Sequence, residues 1–385
     1  MNCKTTTLRI LKLTALLLPA VLLMLLFPVN DFDDSVRIRN FYLEPENSLD
    51  VIILGSSENY AGYSPVLAYE EYGFTSYPFV FSANDFSLFE EQLEEVLRVQ
   101  APKIVVVDVA EVLAPKTDGD TVLRQFAAGI PLSWNKIRMI SEHGDREHLL
   151  SYYVPFIVNH SKADAKTLKT YIKDNIDVRR RGYSLLKGAI TFTGTGENWD
   201  GPYVTPIHTS GDYSVAELMP EQIAQCQDVL DACARHPEVQ FLFINSPHRL
   251  TTQEKYLWYQ QMNALGEMIR DNGYAFCNMD GLTDEIGIVP ETDFYNNHHM
   301  NLHGQYKATR FLCDILTRDF GLVPGNQSER NRANWDDCVE YERLYFQLFE
   351  QEYRAREPGE FGRWLQESAW LTGKLEEMKQ TGGVS

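Results

Sequence analysis

The chain has 385 residues, 44% of them hydrophobic and 12% aromatic, so it can bury a sizeable core and is not a disordered polymer. Its 35 Lys and Arg stand against 54 Asp and Glu, a formal charge of −19. That balance argues against a nucleic-acid partner, because phosphate binding needs clustered Lys and Arg.

Lys4, Arg9 and Lys12 precede an uncharged apolar run from Leu13 to Val29, 17 residues long, and Asp31, Asp33 and Asp34 follow it. That length is at the short end of a bilayer span. The charge bias places the N-terminus inside and everything after residue 30 outside. Residues 1–30 are therefore expected to be a single-pass membrane anchor. A cleaved signal peptide is the competing reading, but Leu25, Leu26 and Phe27 are bulky where cleavage needs small side chains. Both readings export the remainder.

Residues 30–49 read as a juxtamembrane linker. Asp50–Leu54, Lys103–Val109, Val239–Ile244 and Ala275–Met279 are short apolar runs of the kind that form buried parallel strands. Helical patterns occupy Pro65–Tyr72, Phe86–Val99, Pro220–Ala234, Thr252–Asn272 and Gln305–Arg318. Strands alternating with helices predict a three-layer α/β/α domain with a mostly parallel sheet over residues 31–325. Residues 115–215 break the alternation and are expected to be an insertion that covers or shapes a site. Residues 326–385 are polar, with two amphipathic helices, Trp335–Arg354 and Phe361–Met378, expected to pack on the domain. None of the six cysteines has metal-binding spacing; Cys3 lies on the cytoplasmic side of the proposed anchor, and the five outside it are expected to be buried free thiols, with one disulfide as the alternative.

Two constellations could carry chemistry. Gly55-Ser56-Ser57-Glu58 directly follows the first strand. In open α/β sheets ligands bind at the carboxyl ends of strands. There a serine at a helix start can act as nucleophile, with its own backbone N–H as an oxyanion donor; alternatively Ser56 or Ser57 only caps the helix. The second is the stretch Asp293 to Gly304, which holds His298, His299 and His303. Their spacing matches no standard metal-ligand set, so no metal or cofactor is expected. A serine hydroxyl does need a neighbouring imidazole to take its proton, and this stretch lies at the same sheet edge. Asn245-Ser246-Pro247-His248, after the third strand, reads equally as a pocket lining or as a plain strand-to-helix turn, and Arg179-Arg180-Arg181 reads by default as a solvated face, with a contact for lipid headgroups or an anionic polymer as the alternative.

A strand ending in Gly-Ser-Ser, a middle Ser82-Ala83-Asn84 and a late His299-x-Asn301-x-x-Gly304 together resemble the SGNH/GDSL hydrolase superfamily. More narrowly, the chain resembles the membrane-anchored branch related to DltD and to exported proteins of Gram-positive gut bacteria. The likeness spans about residues 48–320 and rests on these three blocks. It implies a flavodoxin-like domain with Ser57 as nucleophile and His299 as base. It also implies Asn84, with Ser82, Gly55, Glu58 and Asn245, in the oxyanion and substrate-binding region. The family has Asp three residues before this His; here Asn296 stands there, with Asp293 a further three residues back as a substitute. Glu58 stands where many relatives have His, although the DltD branch has an acidic residue. The resemblance implies a serine esterase or O-acyltransferase acting on a cell-envelope glycan or polymer, with a membrane-bound acyltransferase as a further partner. The neutral Asn296 keeps open an alternative: a catalytically weak, anchored binding or assembly protein.

Overall fold

A computed structural model describes residues 12, 14–15, 17–19, 33–114, 119–155, 165–194, 204–354 and 361–381. Most of the apolar run Leu13–Val29 lies outside these residues. Among the described ones, no helix is long and apolar enough to cross a membrane.

Five strands form one sheet: β1 (Val51–Leu54), β2 (Ser76–Pro78), β3 (Ile104–Asp108), β4 (Gln240–Asn245) and β5 (Ala275–Asn278). Their spatial order is β2-β1-β3-β4-β5, and every pairing is parallel. This is the 2-1-3-4-5 order of doubly wound sheets, which reverses direction between β1 and β3 and opens a crevice at their carboxyl ends. The helices described before β4 are α1 (Asp33–Phe41), α2 (Ser57–Gly62), α3 (Pro65–Tyr72), α4 (Phe89–Val99), α5 (Ala110–Leu113), α6 (Gly119–Gly129), α7 (Trp134–His143), α8 (Leu149–Tyr153), α9 (Ala165–Arg181) and α10 (Pro220–Ala234). After it come α11 (Gln253–Asp271), α12 (Thr283–Ile286), α13 (Leu302–Arg318), α14 (Glu329–Arg354) and α15 (Phe361–Thr381).

Successive strand residues point to opposite faces, and here both faces are covered. Ile52, Leu54, Val105, Val107, Phe241 and Phe243 join one core cluster with Leu93 and Val96 of α4, Val229 of α10 and Met262 of α11. Val51, Ile53, Ile104, Val106, Leu242 and Ile244 join a second with Ala68 of α3 and Leu312 and Leu316 of α13. The result is three layers, which is why these strands read as unbroken apolar runs. The strand missing from the sequence reading, Ser76-Tyr77-Pro78, is short and lies at the sheet edge, where the absent N–H of Pro78 is tolerated.

The described parts of the 115–215 segment are built into the domain. Its α6 packs along α1, where a side chain at Gly129 would collide with Ile38. Phe126, Met139 and Ile140 from α6 and α7 belong to the first core cluster. Lys187, from the same segment, is fully buried. It pairs with Glu44 through Nζ–Oε1 at 2.8 Å and lies 4.5 Å above the Trp335 ring. The C-terminal helices also pack inward: Trp335, wholly buried, joins the first core cluster, and Cys338, Val339 and Leu375 pack with Val66, Tyr183 and Leu185. The loop before α14 bonds back to the start of β1. The Gly325 N–H donates to Asp50 Oδ1 at 3.0 Å, and Gln327 Nε2 to the Ser48 carbonyl at 2.9 Å. Cys226, Cys233, Cys277, Cys313 and Cys338 are free thiols, four of them buried, as expected.

Candidate active site

Gly55 ends β1, and α2 begins two residues later with Ser56 as its N-cap. Ser56 holds the N-cap position, and the half-buried Ser57 is the first residue of the helix. The turn is held by Asn59. Its Oδ1 accepts from the Ser56 N–H at 3.0 Å, and its Nδ2 donates to Asp108 Oδ2 at 2.7 Å. Asp108, the last residue of β3, also accepts from the Ser246 hydroxyl at 2.6 Å and the Ser246 N–H at 3.1 Å. One buried carboxylate thus joins the ends of β1, β3 and β4. Burial, aided by the Glu58 charge, raises the Asp108 pKa, while the bonds from Ser246 and Asn59 oppose the rise. Gly55 is required because a Cβ there would lie 1.8 Å from Asn59 Oδ1. Since Asn59 cannot move without breaking its bonds, Gly55→Ala is expected to cost about 1–3 kcal/mol, the usual range for overpacking. Chemical denaturation measures it; an unchanged midpoint would refute the tight turn.

His299 lies in a loop closed by a bridge between Phe294 and Met300, with the Tyr295 N–H donating to the His299 carbonyl at 2.9 Å. Asn296 Oδ1 accepts from the backbone N–H of His298 at 2.9 Å and of His299 at 2.7 Å. That atom must therefore be the amide oxygen. It lies 3.1 Å from His299 Nδ1, so Nδ1 carries the proton and Nε2 carries the lone pair. Among the described residues, this buried Nε2 has no hydrogen-bond partner. Burial lowers the His299 pKa, with the nearby Glu58 charge pulling the other way, so the ring is neutral at neutral pH. The imidazole stacks on Tyr60 at 7°, with centroids 6.3 Å apart, and is flanked by Phe192 at 5.5 Å. Tyr60 is three residues after Ser57 and shares its helix face. Phe192 comes from the end of the insertion, whose Ile190 N–H donates to the Tyr60 carbonyl at 2.8 Å. The insertion thus forms a wall of the site, as its position in the sequence suggests.

The other residues singled out in the sequence take different places. Asp293 does not reach His299: it is buried, bonds Lys307 Nζ at 2.6 Å and accepts from the Val289 N–H at 2.7 Å. Asn84 is buried with both amide hydrogens used, one on the Gly55 carbonyl at 2.9 Å and one on Gln92 Oε1 at 3.0 Å. It therefore fixes the turn and donates no bond to a substrate oxyanion. The Ser82 hydroxyl is 3.1 Å from the Tyr60 hydroxyl. Asn245 is wholly buried and bonds Asn278 and Asp280, each at 2.9 Å, so it lines no pocket. Asn301 and Gly304, the rest of the late motif, are structural. Asn301 Oδ1 caps α13 by accepting from the His303 N–H at 3.0 Å. A Cβ on Gly304 would strike the Asp293 carbonyl at 2.3 Å.

The sequence reading missed the role of His248. Its Nδ1 lies 3.0 Å from Asp280 Oδ2 and its Nε2 2.8 Å from Glu58 Oε2, in a line of three buried groups beside Ser57. Burial opposes a charge on His248, but Glu58 and Asp280 outweigh it and raise its pKa well above the usual value. Glu58 is in turn held below the usual carboxylate range, because His248 outweighs the burial that would raise it. Neighbouring Glu111 is pushed up to about 7 by burial and by the Glu58 charge, so it titrates at neutral pH.

The late histidines do not converge on a metal: His298 faces Glu58, His299 faces Asn296 and His303 faces Glu350. Among the described residues, three potential ligands gather within reach of one ion only at Glu91, Glu142 and His143, away from this site.

No protein-family model, no curated protein and no solved structure matches the chain.

Proposed function

We propose that the protein is an exported, membrane-anchored serine esterase or O-acyltransferase of the SGNH type, acting on acyl esters of a cell-envelope glycan or polymer. What carries the reading is His299: a neutral imidazole stacked on Tyr60 of α2, with its tautomer set by Asn296 and a buried Nε2 that has no hydrogen-bond partner among the described residues. A buried nitrogen lone pair left unbonded costs free energy, and a proton acceptor awaiting a substrate-bound serine accounts for that cost. The strand order adds support, since Ser57 follows β1 at the switch point.

In the first half-reaction Ser57 Oγ attacks the ester carbonyl carbon as His299 Nε2 takes its proton. The tetrahedral oxyanion is held by the Ser57 backbone N–H. The C–O bond to the alcohol then breaks, and the leaving oxygen takes the proton from Nε2. Water or an acceptor hydroxyl next attacks the acyl-Ser57 carbonyl, passing its proton to Nε2. Ser57 Oγ leaves and recovers that proton, so the enzyme returns unchanged. Water as acceptor makes an esterase, and a glycan hydroxyl makes a transferase.

A fluorophosphonate probe tests the reading. The folded wild-type protein is expected to label at Ser57 and Ser57→Ala to remain unlabelled. A folded wild type that takes no label, and turns over no acetyl ester, would favour the anchored binding or assembly protein instead. The Asn84 amide, spent on Gly55 and Gln92, and the neutral Asn296 are the observations on that side.

A further inference from the structure

The α6–α8 region carries large apolar side chains that the domain leaves uncovered. Leu132 is 74% exposed, Trp134 85% and Leu150 71%, with Leu149 partly exposed beside them. Single exposed apolar residues are ordinary, but a group of them marks a contact surface. Leu132, Lys136 and Tyr153 line one cleft of about 430 Å³; Trp134 follows Leu132 by two residues, and Leu149 and Leu150 lie one helical turn before Tyr153. Among the described residues the same cleft is lined by Arg39 and Arg179 and by no acidic side chain, in a chain where acids outnumber bases 54 to 35. Lys136 adds to the positive charge: burial lowers its pKa only to about 8.

The position of this face in the chain says what it meets. The apolar run ends at Val29, and α1 starts at Asp33. Gly129, at the end of α6, sits against Ser35 and Ile38 of α1, and the chain goes directly from there to Leu132 and Trp134. The uncovered face is therefore tied to the first turns after the run. An exposed Trp with leucines beside basic side chains is the composition of surfaces that rest in the headgroup layer.

We infer that the face formed by Leu132, Trp134, Leu149 and Leu150, with Arg39 and Arg179, lies on a bilayer surface of anionic headgroups as a second membrane contact. This rests on the reading of Leu13–Val29 as an anchor. It gives Arg179 a role and fixes the domain's orientation on the membrane. Rotation about the short tether would otherwise leave that orientation free.

The test uses the full chain reconstituted in vesicles of phosphatidylcholine and phosphatidylglycerol carrying brominated acyl chains, which quench indole emission on contact. Trp134 is one of six tryptophans, and its exposure makes Trp134→Phe safe for folding. The expected result is marked quenching in the wild type, most of it lost in Trp134→Phe. If the chain pellets with vesicles but Trp134→Phe is quenched as strongly as wild type, the anchor stands and this contact is wrong; a protein partner would then be the occupant of the face. If the chain stays in the supernatant, the anchor reading fails and this inference falls with it.

Discussion

His299→Ala is expected to lower ester turnover by on the order of 10³-fold or more, as loss of a general base does. His298→Ala and His303→Ala are expected to leave most of it, because those rings face Glu58 and Glu350. The informative partner is Asn296→Asp. Asn296 Oδ1 already sits 3.1 Å from His299 Nδ1, so a carboxylate introduced there needs no movement to stabilise the imidazolium formed during attack. Each pKa unit of such stabilisation is worth about 1.4 kcal/mol, or roughly tenfold in rate where proton transfer limits turnover. The sign for pH follows. The active form is neutral His299, and burial holds its pKa below the usual value, so wild-type activity should persist into mildly acidic solution. Asn296→Asp raises that pKa, so its activity should be higher at alkaline pH and should fall away at a higher pH than in wild type. A pH–rate profile on a soluble acetyl ester reads both effects. Coincident acid limbs in the two proteins would show that Asn296 does not set the base. Asp293→Asn is expected to act through stability instead, by leaving Lys307 without its buried partner.

Glu44→Ala is expected to be the most damaging single change for the fold, at about 3–5 kcal/mol, the range for leaving one member of a buried ion pair uncompensated. The Lys187 and Glu44 side chains are 0% and 1% exposed, and the Lys187 ammonium is boxed in by the rings of Tyr183 and Trp335. Removing both charges, as Glu44→Ala with Lys187→Met, is expected to recover most of the loss, since an apolar replacement of a buried pair is often neutral. Denaturation of the two singles and the double gives the coupling. A double mutant as unstable as the sum of the singles would mean that the pair contributes packing and not charge neutralisation.

Four of the five strands were legible in the sequence: β1, β3 and β4 because they are covered on both faces and so do not alternate with polar residues, and the edge strand β5 from its short apolar run alone. Ser57 was singled out because it follows the end of β1, and Asn296 and His299 because they stand in a short block just before α13. Asp108, Asn59 and Asp280 were not. Asp108 bonds Asn59 across 49 positions and Ser246 across 138, and no local period marks such pairs. One signal was present: the run Ile104-Val105-Val106-Val107 stops at an aspartate inside a buried strand, where an acid needs a reason. Asn84 was misassigned because its block matched while its amide was already spent on Gly55 and Gln92. Only a three-dimensional count of donors reveals that.

The bonds from Gly325 to Asp50 and from Gln327 to Ser48 have a temporal meaning. They span 275 and 279 residues, and Trp335 completes the core beside strands made much earlier. At about 5–20 residues per second of synthesis, roughly a quarter of a minute to a minute separates the two halves of that contact. During that interval β1 and its neighbours must wait with apolar surface open. On an exported chain they would do so on the far side of the membrane, before the last helices arrive. The C-terminal helices are thus expected to close the core last, and a chain cut before residue 325 is expected to leave that part of the core open to protease.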